Sequence, residues 1–424
     1  MNSNTLCSLA WSHISSEPAG PCRSCCIARD HITDDNGNIY SLGEHSVKEI
    51  LTSTFMKNLR QEMREGKQPS NCETCWEDER NGKESKRLIY NKIMGFDFLK
   101  IDEIDYEKEP EYPVDLQIAL GSVCNLKCRT CNPVYSSKWR SEAKERNIHW
   151  WKPDVKVEVT DLERSKFWED LEESSVHLRR LEIMGGEPFY TKEFKVLIDR
   201  LIDYGTSKNI SLNLSTNGTI FDEELLNKIT DNFNAVGFNI SIDGTDRLFD
   251  YTRHGNSWSN VSSNLRKFYE KFKYYKDRQQ KHKFSIGITI TISTINFYYL
   301  RDIHQFFEVN YPDFEIWNNI VYFPDHYNPN IMLPELKEQF IDRVENPTKY
   351  GLSPWDEEKY KHDILPIVNH VRNPAQNNGI SLEKNEFLWH KFIRDTFSTD
   401  EFRKESIRKS LPEFYKLISN HTQI

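Results

Sequence analysis

The chain has 424 residues, 37% hydrophobic, 12% aromatic and 29% charged, a composition that builds a folded core and excludes a disordered chain. Its formal net charge is −9 with both signs mixed along the sequence, which does not favour a broad nucleic-acid-binding face. It contains no run of eighteen apolar residues, and MNSNTLCSLAWSHISSEPAG lacks a basic start and a sustained apolar stretch; neither a membrane span nor a signal peptide is read, and a cytoplasmic protein is expected.

Residues 1–95 read as a Cys-bearing unit, in which EHSVKEILTSTFMKNLRQEMREG (44–66) repeats apolar residues at helical spacing up to Gly66. A linker follows at 96–111, where the acidic, Pro-containing DEIDYEKEPEYP begins. Strands and helices then alternate over 112–325. Six strands are expected at 114–122, 178–185, 210–216, 236–243, 284–293 and 314–323, with helices at 191–205, 222–233 and 260–272 among the connections. Alternation of this kind implies a parallel sheet with right-handed crossovers; spacing leaves an open sheet and a partial barrel both possible. Residues 326–424 carry no strand pattern and read as mostly helical. The basic run KYYKDRQQKHK (273–283) reads as a solvated helix end, and Trp150–Trp151 and FYYL (297–300) as core or interface aromatics.

Nine cysteines all fall in the first third of the chain. An odd count, close spacings and no secretion signal argue for metal ligation and against a disulfide framework. In parallel α/β folds ligands gather at the carboxyl ends of strands, and the first strand is followed there by CNLKCRTC, with Cys124, Cys128 and Cys131 on one short loop. Three thiolates with no fourth nearby leave one position of a four-iron cluster open for a ligand; a zinc site completed by a distant residue is the other reading. The second strand ends in MGGEP, where Gly185 and Gly186 allow close backbone approach and Glu187 offers a carboxylate to a cationic amine; taken alone, the segment reads more readily as an ordinary strand-to-helix turn with Glu187 near a helix start. Ser215 and Asn217 end the third strand, Ser241 and Asp243 the fourth, as hydrogen-bonding groups for a ribose. Arg253 reads equally as a carboxylate clamp or a surface ion pair.

The Cys-x3-Cys-x2-Cys run with GGEP at the next strand end resembles the radical S-adenosylmethionine (AdoMet) superfamily. The resemblance implies a partial (β/α)6 TIM-like barrel at 112–325, with a 4Fe–4S cluster on Cys124, Cys128 and Cys131. It implies that Gly185, Gly186 and Glu187 bind the AdoMet amino group, with Ser215, Asn217, Ser241 and Asp243 on the ribose side. Reductive cleavage would yield a 5′-deoxyadenosyl radical that takes hydrogen from a substrate, with a reductant such as flavodoxin or ferredoxin. Two departures stand out: Thr130 occupies a position that is aromatic in many members, and ITITISTIN (288–296) lacks the usual glycine-and-acid pattern.

LCSLAWSHISSEPAGPCRSCC (6–26) and CETCWEDERNGKES (72–85) resemble the two halves of a twitch module, related to the SPASM domain. That resemblance implies an auxiliary 4Fe–4S cluster on Cys7, Cys72, Cys75 and one of Cys25 and Cys26, with a slight preference for Cys25. Cys22 matches no family position, and a zinc knuckle of the same ligands is the alternative. The expected substrate is a peptide or protein side chain; a small sugar or nucleotide is the alternative. A non-catalytic zinc protein is the reading from another class.

Overall fold

A computed structural model describes residues 4–80, 82, 84–93, 104–149, 155–280, 283–372 and 382–419. Trp150–Trp151 and the first half of the expected linker lie outside them. Among the described residues eight strands form one sheet in the order β2-β1-β3-β4-β5-β6-β7-β8. They are β1 (His13–Ser16), β2 (Cys22–Arg23), β3 (Asp115–Ala119), β4 (Arg180–Met184), β5 (Ser211–Thr216), β6 (Ala235–Ser241), β7 (Phe284–Ile292) and β8 (Glu315–Ile320). Every pairing is parallel except β1 with β2, which is antiparallel. The six sequence-read strands are β3–β8, and they run consecutively. The sheet stays open between β8 and β2, so the architecture is mixed α/β with a partial barrel.

The register explains why these segments are strands. Ile118, Ile183, Leu214, Phe238 and Ile286 form one row across five strands, all buried. One position earlier, Gln117, Glu182, Asn213, Gly237 and Ser285 form the neighbouring row. Because side chains alternate faces along a strand, the aliphatic row packs under the crossover helices while the polar row faces the concave side. Gly237 has a packing reason: a Cβ there would lie 2.5 Å from Asn213 Oδ1 and 3.0 Å from Ser285 Oγ. The crossovers include helices Lys192–Asp203, Glu223–Asn232, Trp258–Asp277 and Leu300–Asn310. Asp222 and Ser257 cap the second and third through their side chains.

The Cys-bearing unit does not stand apart from the barrel. β1 pairs with β3, and His13 Nδ1 meets the fully buried Asp115 at 2.8 Å, while Arg180 reaches the same carboxylate at 3.0 Å. Residues 44–66 form two helices, Val47–Leu51 and Thr54–Arg64, because Ser53 caps a second start. Glu109, in the linker stretch, pairs with Arg60 and Arg64 of the latter helix. The basic run begins within the end of Trp258–Asp277, and Phe297 and Leu300 are fully buried. The C-terminal residues are helical, including Pro334–Glu345, Leu365–Arg372 and Leu382–Arg403. No helix of the described residues is long and apolar enough to cross a membrane.

Candidate functional site

The loop after β3 carries Cys124, Cys128 and Cys131, and its backbone is fixed from three directions. Glu187 N donates to Val123 O at 2.8 Å, binding it to the loop after β4. Lys127 N and Arg129 N donate to His254 O and Thr252 O at 2.9 and 2.8 Å, binding it to the segment after β6. Trp139 Nε1 donates to Cys128 O at 2.9 Å from helix Ser137–Glu145. The thiols take little part in this scaffold, which leaves them available as ligands. Burial pushes the Cys124 thiol up to about 12 and Cys128 adds to the shift. Cys131 is also raised, by burial and then by Cys128. Burial raises Cys128, and the Arg253 guanidinium pulls it back. Thiols raised in this way would bind a metal group only with release of their protons.

The glycines of MGGEP have a steric requirement. Gly185 and Gly186 sit at φ +78° and +56°, and a Cβ on Gly186 would stand 2.4 Å from Val123 O. Glu187 is 0% exposed and turns its carboxylate inward. Its Oε1 accepts from Thr216 Oγ1 and its Oε2 from Asn217 N, both at 2.7 Å, so the carboxylate is directed to the end of β5. Burial nevertheless raises its pKa to about 7.

Asn217 and Asp243 likewise make hydrogen bonds within the chain. Asn217 Nδ2 donates to Asn125 Oδ1 at 2.9 Å and lies 4.0 Å from Cys124 Sγ, while its Oδ1 accepts from Thr219 N and Oγ1. Asp243 accepts from Thr291 N at 2.9 Å and pairs with Arg253 at 3.0 Å. Arg253 is buried, so the surface-pair reading does not hold; its Nη1 lies 4.0 Å from Cys128 Sγ. Ser215 and Ser241 lie on one face of β5 and β6, in register with Asn239 and Thr289. Half-buried on the concave side, they remain available to a ligand. The structure thus gathers the three cysteines, the glycine pair, Asn217, Asp243 and Arg253 at the carboxyl ends of β3–β6.

Sequence reasoning missed the C-terminal contribution. Arg129, within the Cys run, is fully buried and pairs with Asp400 and Glu405, and His254 also meets Glu405. Arg403 bonds Glu142 at 2.9 Å and stacks over Trp139 at 5.5 Å. The one sequence signal was Arg129 inside CNLKCRTC, whose acidic partners lie more than 250 residues away.

In the N-terminal unit Cys7, Cys25, Cys72 and Cys75 line one pocket, together with Ile27, Lys86 and Arg87. Burial raises all four thiols, Cys7 to about 12 and Cys25 to about 11, and Cys72 is raised further by the other three. Cys26 is exposed and accepts from Lys86 Nζ at 2.8 Å; it does not line the pocket. Cys22 is fully buried, its thiol donating to Gly20 O at 3.2 Å. Among the described residues no three or more His, Cys, Asp or Glu side chains are placed to hold a single metal ion. Both thiol sets fit an iron–sulfur group in donor chemistry, soft sulfur ligands in a dry setting.

The family model described as the radical SAM superfamily matches residues 118–307. No curated protein matches the chain. Among solved structures, native anSMEcpe with bound AdoMet is 19% identical at a TM-score of 0.36, over 58% of this chain and 62% of that one. SuiB of Streptococcus suis bound to its precursor peptide SuiA is 13% identical at 0.34, over 75% and 56%. The chain therefore spans less than two thirds of the length of either. Residues 118–307, which open on β3 and the Cys124–Cys128–Cys131 loop, are a radical SAM superfamily domain.

Proposed function

We propose that the chain is a radical SAM enzyme that modifies a peptide or protein side chain, with a 4Fe–4S cluster on Cys124, Cys128 and Cys131. The observation that carries this reading is the loop after β3, where three raised thiols stand beside a glycine pair whose Cβ positions are filled by Ala119 and by the Val123 carbonyl. When bound, the cluster supplies an electron for reductive cleavage of the AdoMet sulfonium, which starts hydrogen abstraction from substrate. The chain's own residues hold and orient. Gly185 and Gly186 keep the loop after β4 against Val123, and Glu187 fixes that loop to β5. Ser215 and Ser241 offer hydroxyls on the concave side. The C-terminal pairing of Arg129 with Asp400 and Glu405 backs the cysteine loop and keeps water from that side.

The four-thiol pocket supports an auxiliary 4Fe–4S cluster on Cys7, Cys25, Cys72 and Cys75, with Cys26 outside it. That module favours a peptide substrate and a reductant such as flavodoxin or ferredoxin. The polar row Gln117, Glu182, Asn213 and Ser285 on the concave side favours a second reading, a small sugar or nucleotide.

Anaerobic reconstitution with iron and sulfide, then metal counting and an assay for 5′-deoxyadenosine, tests the proposal. Roughly eight irons per chain are expected, with an absorbance shoulder near ~400 nm; a colourless zinc protein would refute it. Cys128→Ala abolishes deoxyadenosine release and Cys72→Ala spares the first cluster. Release by Cys128→Ala overturns the assignment. Mass change in candidate peptides, against turnover with metabolite pools, separates the two substrate classes.

A further inference from the structure

We propose that Arg403, at the end of helix Leu382–Arg403, is the uncompensated cation that the C-terminal segment supplies to the cluster on Cys124, Cys128 and Cys131, raising its reduction potential. The inference rests on the cluster reading above. It starts from an accounting of buried donors. The Arg403 side chain is 0% exposed, and its Nε is bonded to Glu142, but Nη1 and Nη2 are buried and meet no acceptor. A buried charged group left in this state is costly unless something anionic completes it.

The surrounding protein does not complete it. Glu142 is shared by three cations, Lys127 at 2.6 Å, Arg146 at 3.0 Å and Arg403 at 2.9 Å. One carboxylate cannot neutralise three positive charges. Asp400 and Glu405 bond Arg129, and Glu405 also meets His254 and the field of Arg403. Taken together, Lys127, Arg129, Arg146 and Arg403 face, among the described residues, only the three carboxylates of Glu142, Asp400 and Glu405, which leaves one positive charge in excess. Arg253, the other guanidinium beside the loop, is matched singly by Asp243 at 3.0 Å.

Position supplies the partner. The Arg403 guanidinium lies 5.5 Å from the centre of the Trp139 ring, and the indole N–H of Trp139 donates to Cys128 O at 2.9 Å. The excess charge is thus one aromatic ring from the middle ligand. A four-iron cluster on three thiolates is anionic and becomes more so when it takes an electron. A buried cation at this range favours the reduced form, through the charge and burial terms that tune such clusters.

The test uses the reconstituted full-length protein and follows the midpoint potential of the iron–sulfur signal that AdoMet perturbs, with iron content and thermal unfolding checked for each variant. Arg403→Met is expected to shift the potential negative, and Arg403→Lys to stay near the wild type. Glu142→Gln, which removes the shared carboxylate, is expected to shift it positive, a sign that loss of packing alone does not produce. If Arg403→Met keeps its iron and titrates at the wild-type potential, the inference fails. It fails equally if the potential is unchanged while AdoMet binds more weakly, since Arg403 would then serve the cofactor's carboxylate. If Arg403→Met assembles no cluster, the opposite shift in Glu142→Gln decides alone. Wild-type protein that takes up no iron at Cys124, Cys128 and Cys131 refutes the cluster reading itself, a result distinct from any of these.

Discussion

The Glu187 carboxylate accepts the backbone N–H of Asn217 at 2.7 Å, and this bond closes a ring through three loops. Asn217 Nδ2 donates onward to Asn125 Oδ1, beside Cys124, and Glu187 N donates back to Val123 O. The loops after β3, β4 and β5 are therefore one hydrogen-bonded unit, and the cysteine loop is positioned by its neighbours before any metal arrives. The acidic residue of GGEP acts here as an inward anchor, in keeping with its complete burial.

Replacing Glu187 by Gln tests the anchor. The amide presents an NH2 toward a donor, so one of the two 2.7 Å bonds is lost and the variant is destabilised by about 1–3 kcal/mol in urea unfolding. The pH dependence has a definite sign. The folded carboxyl, raised to about 7 by burial, holds its proton where the unfolded chain has released it, near the ordinary glutamate value of 4.5. The folded state then binds more protons, and wild-type stability falls as pH rises through that window. In the metal-free protein the advantage of wild type over Glu187→Gln should narrow from pH 5 to 7.5; a gap that widens contradicts the anchor.

Gly186→Ala should separate backbone strain from side-chain chemistry. A methyl group at φ +56° costs about 1–2 kcal/mol by itself, and here it also meets Val123 O at 2.4 Å. The loop after β3 must move, so iron uptake at Cys124, Cys128 and Cys131 is lost while the N-terminal site still loads. Gly37→Ala is the control, because φ is +84° there but no atom lies within 4 Å. It should lower Tm slightly and leave the iron content unchanged.

Much of this was legible in the sequence, for a definite reason. β3–β8 alternate Ile, Leu or Phe with polar residues, so period-two patterning marks them, and CNLKCRTC sits where β3 ends. β1 escaped because His13–Ser16 is mostly polar, and its burial depends on Asp115, a hundred residues away. The 44–66 stretch reads as one helix by periodicity, but Ser46 and Ser53 each cap a separate start. The inward orientation of Glu187 and the pairing of Arg129 with Asp400 were beyond reach, since both are long-range contacts that leave no local pattern.

Asp115→Asn should detach β1 from the barrel. The carboxylate serves both His13 and Arg180, and its removal leaves the Arg180 charge without its main partner, a loss of about 3–5 kcal/mol. Against the cost of burial, Arg180 and His13 hold the Asp115 pKa down to about 2, below the ordinary aspartate value of 3.8. Its stabilisation is complete above the unfolded value and is lost as pH falls through the folded one. Acid unfolding followed by circular dichroism should therefore show a wild-type component between pH 4 and 2 that Asp115→Asn lacks.

Cys25→Ser and Cys26→Ser should differ although the residues are adjacent. Cys25 lines the pocket with Cys7, Cys72 and Cys75, and its thiol is raised to about 11 by burial and by Cys26. Cys26 points outside, held by Lys86 at 2.8 Å. Serine is a poor ligand for iron compared with thiolate, so Cys25→Ser should fall from roughly eight irons to roughly four. Cys26→Ser should keep the full count. Because Lys86 also lines the pocket, release of its ammonium in Cys26→Ser brings a cation closer to the auxiliary site and should move the potential of that centre without emptying it. The reverse pattern, iron lost in Cys26→Ser and kept in Cys25→Ser, would mean that the pocket in the N-terminal unit is not where the second cluster sits.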